Sequence, residues 1–508
     1  MTGAQPPVVP PERWQPRVLV IGAGAGGIAT AVRLLQDGVH DLLAVDRADG
    51  LGGVWRANDY PGAQCDVPSH LYSLSFHPNP RWSRRFADQH EILGYLEEIA
   101  DRYGLGPHLR LRTEVIACSW DEAARQWTVR LRSADGTESS VEADLVIAAT
   151  GQLSSPALPA IPGLDRFAGP VFHSARWRHD VDLAGRRVGV IGTGASATQF
   201  VPVVARSAAH LDLYQRTAPY IIGKPNRRYS EREIDRFAKW PIRQAFSRYR
   251  QYWWHELLGV PFTTAPTTLM RIPTRSWRKR LDRVVTDPEL RAKLTPDYLM
   301  GCKRLLRAPG WYRTVARPNV SVVTDDVVEV LENGVRTKDG DEHPLDVLIL
   351  ATGFEATRFL GSMRVTGREG RELASVWRDG ARAYLGLMVP GFPNFFLIYG
   401  PGTNLGHTSV LFMIESQIAW VRSALRTMRR RDLDAVEVRP EVQSRYDAWF
   451  TGASAGTVWE TGCDSWYTRD GHNLNNWPGS TVRYRLRTRR FHVSHVHASR
   501  RSDHAPDR

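Results

Sequence analysis

Two parts of the chain repeat one pattern of apolar and polar positions. Val18-Leu19-Val20-Ile21 is an unbroken apolar run, as expected of a strand buried on both faces of a parallel sheet, and it leads straight into the glycine turn of residues 22–27. Apolar residues then recur at helical spacing over 28–35, and a second apolar run fills 42–45. The same strand, turn and helix return 170 residues later at 188–197, followed by a strand over 211–214. Two further runs, 143–151 and 345–353, both end in Ala-Thr-Gly and predict the strands that close the two units. Between these units, residues 218–300 show mixed helical spacing with turn signals at Pro261, Pro266 and Pro273. The pattern predicts an α/β protein with two Rossmann-like dinucleotide-binding domains and an inserted helical subdomain.

The glycine turns carry the first chemistry. Gly22 permits the tight turn, Gly24 lets backbone approach a pyrophosphate, and Gly27 lets helix and strand pack closely. Asp46 ends the second strand 19 residues after Gly27, where a carboxylate accepts hydrogen bonds from ribose hydroxyls, so this unit is read as an FAD site. In the second unit Gly192 and Gly194 recur, with Ala197 as the third small residue. Its second strand ends in Gln215-Arg216-Thr217, so Arg216 and Thr217 stand where a ribose 2′-phosphate would sit, and NADP is expected over NAD. Thr150 and Gly400 are expected beside bound cofactor, because Ala-Thr-Gly and Gly-Pro-Gly segments bring backbone close. The expected division is 1–155 for the first part of the FAD domain, 156–217 for the first part of the NADP domain and 218–300 for the insert. The NADP domain then resumes at 301–355, and the FAD domain with an active-site loop at 356–490. Residues 491–508, rich in His, Ser and Arg, read as a flexible tail.

Composition narrows the partners. The 508 residues carry 67 Lys plus Arg against 54 Asp plus Glu, a net charge of +13, but the basic residues divide into 61 Arg and six Lys. That skew suits a GC-rich coding sequence better than a phosphate track, so no nucleic acid is expected. Four cysteines without CxxC spacing predict neither a disulfide scaffold nor a redox dithiol nor a metal site, and a reducing cytoplasm fits. The most apolar later stretch, 384–400, is broken by glycine and proline, so no membrane insertion is expected. Tyr252-Trp253-Trp254 in the insert suits a substrate pocket, a membrane-facing surface or plain core, core being the ordinary place for helical aromatics.

Four segments carry a family resemblance. Residues 167–178 resemble FxGxxxHxxxW, with His173 in the linker between the units, and residues 52–66 are similar to GGxWxxxxYPGxxxD, with Gly53, Trp55 and Asp66 at its fixed positions. Gly301-Cys302-Lys303-Arg304 resembles GxKR, and Ser465-Trp466-Tyr467 resembles an SWY loop. Over roughly residues 15–485 the chain resembles the class B flavoprotein monooxygenases, and within them the Baeyer–Villiger monooxygenases. The resemblance implies that NADPH reduces FAD, that reduced flavin adds O2 at its C4a carbon, and that this peroxyflavin attacks a small-molecule ketone to give an ester or lactone. It also implies that Asp66 pairs with a catalytic Arg304, that Lys303 contacts the NADP 2′-phosphate and that Trp466 helps close the site; His173, the third candidate catalytic residue, lies in the linker, where it would hinge or sense NADP or, equally, tie the linker down as a structural histidine.

Bottom-up, a permanently charged guanidinium suits an oxyanion, and an adjacent carboxylate would hold it in place. The motif ends in Arg178, a basic ending similar to the N- and S-oxygenating flavin monooxygenases, so heteroatom oxygenation is the alternative. A disulfide reductase would need a cysteine pair. A monomer or homodimer is expected.

Overall fold

The computed structural model describes residues 14–462 and 465–500. Two parallel five-stranded sheets carry the two repeated patterns. In the first, Val18–Ile21 lies between Leu42–Val45 and Leu145–Ala148, with Leu109–Arg110 and Phe395–Leu397 at the edges. In the second, Arg187–Ile191 lies between His210–Tyr214 and Val347–Leu350, with Val320–Val323 and Val171–His173 at the edges. Every residue of Val18–Ile21, Leu145–Ala148 and Val347–Leu350 is buried, which is why these strands are apolar throughout instead of alternating.

Each glycine turn is locked by the strand that closes its unit. Gly22 has φ +105° and a Cβ there would lie 2.6 Å from the Ala149 carbonyl oxygen; Gly192 has the same φ, with 2.5 Å to the Ala351 carbonyl oxygen. Only glycine fits either place. The threonines of the two Ala-Thr-Gly ends clamp the connections between units: Thr150 Oγ1 donates to the Phe359 carbonyl (2.7 Å) and Thr352 Oγ1 to the Ala157 carbonyl (2.6 Å).

Three additional layers complete the molecule. A four-stranded sheet of Arg364–Thr366, Thr113–Asp121, Gln126–Ser133 and Glu138–Ala143 packs Trp127, Val129 and Leu131 against one face of the first sheet. The helices Ala25–Gln36 and Val410–Arg431 pack together through Ile28, Val32, Ile414 and Val421. The insert forms the helices Glu231–Lys239, Pro241–Thr263, Pro266–Leu269, Arg271–Val284 and Pro288–Lys293. Phe262, Met270, Trp277 and Leu281 from the insert join the core of the second unit, and Trp277 Nε1 donates to the Tyr312 hydroxyl at 2.7 Å.

Three expectations are corrected here. Residues 491–500 are not a loose tail: Phe491 packs edge-on against Trp420, and Val496–Arg500 pairs antiparallel with Leu433–Val438. The two apolar anchors, Phe491 and Val496, are hidden among His, Ser and Arg, so composition alone misreads the segment; the rest of the expected tail, 501–508, lies outside the described residues. Cys302 is disulfide-bonded, which CxxC spacing does not signal, while Cys65 and Cys118 are free. Finally, of the insert's aromatic triplet only Tyr252 is buried, and Trp253 and Trp254 stand exposed. Among the described residues no helix is long and apolar enough to cross a membrane.

Candidate active site

The helix Ala25–Gln36 starts at Gly24 without a side-chain cap, so its leading N–H groups are left to an anion or to water. Asp46 is fixed beside that terminus: its carboxylate accepts from the backbone N–H of Ala23 (2.7 Å) and of Ala48 (2.9 Å). Gly53, at φ +56°, lies so close to the turn that a Cβ would sit 2.8 Å from Gly24 Cα. That contact sets Trp55 at the edge of the cradle, where its Nε1 donates to the Tyr72 hydroxyl at 3.0 Å.

The second cradle is built alike. Helix Ala197–Val204 also lacks a side-chain cap and Ala197 is fully buried, while no heavy atom lies within 4 Å of a Cβ built on Gly194. Arg216 is exposed just past the end of His210–Tyr214, and the Thr217 carbonyl accepts from Thr193 Oγ1 at 3.3 Å. Lys303 Nζ stands 5.0 Å from the Tyr298 ring centroid.

Arg304 and Asp66, 238 residues apart in the chain, meet: Nη2 donates to Oδ2 at 2.6 Å, with the side chains 35% and 25% exposed. Burial works to raise Asp66, but the Arg304 charge and hydrogen bond, with Arg307 and Lys224 behind them, hold its carboxyl below the usual range. Asp66 in turn raises the guanidinium above its ordinary value against the effect of burial. The cations are grouped by a two-stranded ribbon in which Leu306–Arg307 pairs with Ile221–Ile222, so that Lys224 and Arg307 flank one carboxylate. Lys224 is buried; burial lowers its ammonium to about 8, and its Nζ donates to Gln64 Oε1 at 3.0 Å.

The Asp66 segment is also tied to the second unit. Gln199, on the helix that follows the second glycine turn, accepts from the Gln64 backbone N–H (3.1 Å) and donates to the Gln64 carbonyl (2.9 Å), while Tyr60 donates its hydroxyl to the same amide (3.1 Å). Two tyrosines, the partly buried Tyr399 and the buried Tyr467, feel the Arg304 charge: desolvation raises Tyr399, and it pushes Tyr467 up to about 12.

Other expected site residues stand apart from this cluster. His173 is buried with Nδ1 accepting from the Ala175 N–H (3.1 Å) and its ring edge-on to Phe354; burial lowers its pKa, and neither a hydrogen bond nor an ion pair joins it to Arg304 or Asp66. Thr150 spends its hydroxyl on the linker, as described. Gly400 is small because a Cβ would lie 2.4 Å from the Gly386 carbonyl oxygen, a packing reason. Trp466 is 36% exposed, whereas Tyr467 is the buried residue of that loop. Arg178 is bound on the surface to Asp180. Ser409 begins Val410–Arg431 without capping it, and His407 Nε2 faces Glu256 Oε1 at 3.5 Å.

Sequence reasoning missed Tyr399, Tyr467, Gln199 and Lys224. Lys224 alone carried a signal, being one of six lysines, the same rarity that marks Lys303.

The chain is similar to known proteins over most of its length. The family described as flavin-binding monooxygenase-like matches residues 15–232. A Baeyer–Villiger monooxygenase of Pseudomonas aeruginosa is 44% identical over 484 residues, covering 95% of this chain and 91% of the relative. Among solved structures, an oxidized steroid monooxygenase bound to NADP superposes with a TM-score of 0.83 at 33% identity, over 93% of this chain and 97% of that one. The OTEMO complex with FAD and NADP superposes with a TM-score of 0.86 at 27% identity, over 95% and 99%.

Proposed function

The chain belongs to the flavin-binding monooxygenase family, among its Baeyer–Villiger members, and on that premise we propose that it inserts one oxygen atom of O2 beside a ketone carbonyl, giving an ester or lactone at the expense of NADPH. The observation that carries this reading is the Arg304–Asp66 pair, a guanidinium fixed at 2.6 Å by a carboxylate brought from the other end of the chain.

The residues present fit both cofactors. The uncapped helix start behind Gly22 and Gly24, together with Asp46, Gly53 and Trp55, suits FAD, and the second uncapped start with the open approach at Gly194 suits the pyrophosphate of NADP. Arg216, Thr217 and Lys303 are the groups to receive its 2′-phosphate. Bound FAD supplies hydride acceptance from NADPH and the reduction of O2. What the protein adds is electrostatic. Arg304 remains charged at every working pH and stabilises negative charge as it develops on the ketone oxygen, while Asp66 fixes its orientation. Tyr399, which donates its hydroxyl to Asn404 Oδ1 at 2.5 Å, and Tyr467 stay neutral beside it, so they add no competing charge. His173, held by its own backbone and by Phe354, positions the linker between the units. We place the protein in the cytoplasm as a monomer or homodimer, with a small-molecule ketone and O2 as its partners.

The test mixes the FAD-loaded protein with NADPH in aerated buffer and either ketones or sulfides, and identifies the products. Esters or lactones at one product per NADPH support the reading. Sulfoxides alone would move it to heteroatom oxygenation, and hydrogen peroxide alone would end both.

A further inference from the structure

The helix Pro241–Thr263 is built inside out. Its buried face carries Gln244, Gln251, His255 and Glu256 beside Tyr252, Gly259 and Phe262. Its outer face carries Ile242, Phe246, Tyr249, Trp253, Leu257 and Val260, all 44% to 76% exposed. Steps of three and four residues align these six in one stripe, about 27 Å long at 1.5 Å per residue. Among the described residues 17 large hydrophobic side chains are exposed and eight belong to this one helix, so this is a patch and not the usual scatter.

The helix cannot roll its apolar side inward, because its polar side is already engaged. Gln244 Nε2 donates to the Asn79 carbonyl (2.6 Å), and Glu256 accepts from the Thr481 hydroxyl (2.6 Å) and faces His407. The stripe is thus held outward by the hydrogen bonds of Gln244 and Glu256 on the opposite face.

The charge around it identifies what covers it. Residues 236–281 hold ten Lys and Arg and a single acid, Glu256, which is buried. Arg243 and Arg250 flank the stripe on the same helix, and Arg271 and Arg275 lie on the helix Arg271–Val284, all exposed. A second copy of the chain would set these cations against one another. An anionic lipid surface meets both demands, since aromatic and aliphatic side chains enter the headgroup boundary while arginines reach lipid phosphates. We propose that this helix docks flat on an anionic bilayer, without crossing it, and makes the protein a peripheral membrane binder.

The test sediments the full-length, FAD-loaded protein with vesicles of phosphatidylcholine alone or of equal parts phosphatidylcholine and phosphatidylglycerol. Binding is expected to the mixed vesicles, to fall as salt is raised, and to weaken roughly tenfold in Trp253→Ser/Leu257→Ser. That variant should keep its flavin content and its NADPH oxidation in vesicle-free buffer. Absence of binding to either vesicle, or equal binding by the variant, would overturn the proposal. So would a dimer in sedimentation velocity that the same substitutions dissolve, which would assign the stripe to a second copy.

Discussion

Arg304→Ala tests the site most directly. The substitution removes a guanidinium 2.6 Å from Asp66, yet the carboxylate is not left isolated, because Arg307 and Lys224 also hold it in the charged form. Asp66 is also partly open to solvent, at 25% exposure. The fold and the flavin cradle around Gly22 and Asp46 should therefore survive. The loss falls on the reaction. With about 4 Å between charge centres and an effective dielectric of about 20, a guanidinium attracts a developing oxyanion by ~4 kcal/mol. Removal of a single preorganised oxyanion donor costs ~2.7–4 kcal/mol, or roughly 10²–10³ in kcat. Asp66→Asn should cost less, roughly tenfold, since the guanidinium stays and only its anchoring charge is lost. The assay separates two rates: anaerobic bleaching of the flavin by NADPH, expected to change little, and formation of ester or lactone, expected to collapse. Product formation by Arg304→Ala within about fivefold of the parent, under ~1 kcal/mol, would refute the role given to this residue.

The other predictions concern the two cradles and the buried lysine. A Cβ on Gly27 would lie 1.8 Å from the Gly22 carbonyl oxygen, so Gly27→Ala should yield no flavin-loaded protein; Gly194→Ala meets nothing within 4 Å and should keep flavin and Tm while KM for NADPH rises by roughly tenfold. Lys303→Ala and Arg216→Ala should each raise KM for NADPH by roughly tenfold to a hundredfold and leave KM for NADH unchanged, which steady-state kinetics with both coenzymes will show. Lys224 titrates near 8 when folded and near its ordinary value when unfolded, so between those values the unfolded chain binds more protons and stability rises with pH. Urea unfolding from pH 7 to 10.5 should show a gain of at most about 3 kcal/mol that Lys224→Met abolishes; a parallel profile in the variant would rule out this titration.

What could be read in advance was local. The strand Val18–Ile21 and its glycine turn are specified within ten residues, because an apolar run covered on both faces and a turn at φ +105° each leave their mark in sequence. The Asp66–Arg304 contact spans 238 residues and has no local signature, so only resemblance to a family pointed to it. The Gln64–Gln199 contact, 135 residues apart, had not even that. The insert shows a different limit. Apolar periodicity in Pro241–Thr263 marks one face of a helix but does not say which way that face points. Here the answer depended on Asn79 and Thr481, which pair with the polar face and lie far away in the chain.

The same long-range contacts explain why the site needs both nucleotide units at once. Gln199 belongs to the second unit, and its amide satisfies both backbone groups of Gln64, two residues before Asp66. Breaking that latch would leave a partly buried N–H and C=O unpaired at up to ~1–3 kcal/mol each, and on either side of it the Cys65 N–H donates to the Ala87 carbonyl and the Gln89 N–H to the Ala63 carbonyl, both at 3.0 Å, so the segment is tied to both units. Lys224 and Asn226 hold the Gln64 side chain from the ribbon beside Arg304, at 3.0 and 3.3 Å. Asp66 therefore takes its position from both units, since the segment carrying it is held by Gln199 of the unit that would bind the coenzyme and, through Ala63, Cys65 and Gly53, by the unit that would bind the flavin. Thr150 and Thr352 secure the two connections between the units. The Arg304–Asp66 geometry is thus a property of the docked pair of units, and neither unit alone contains it.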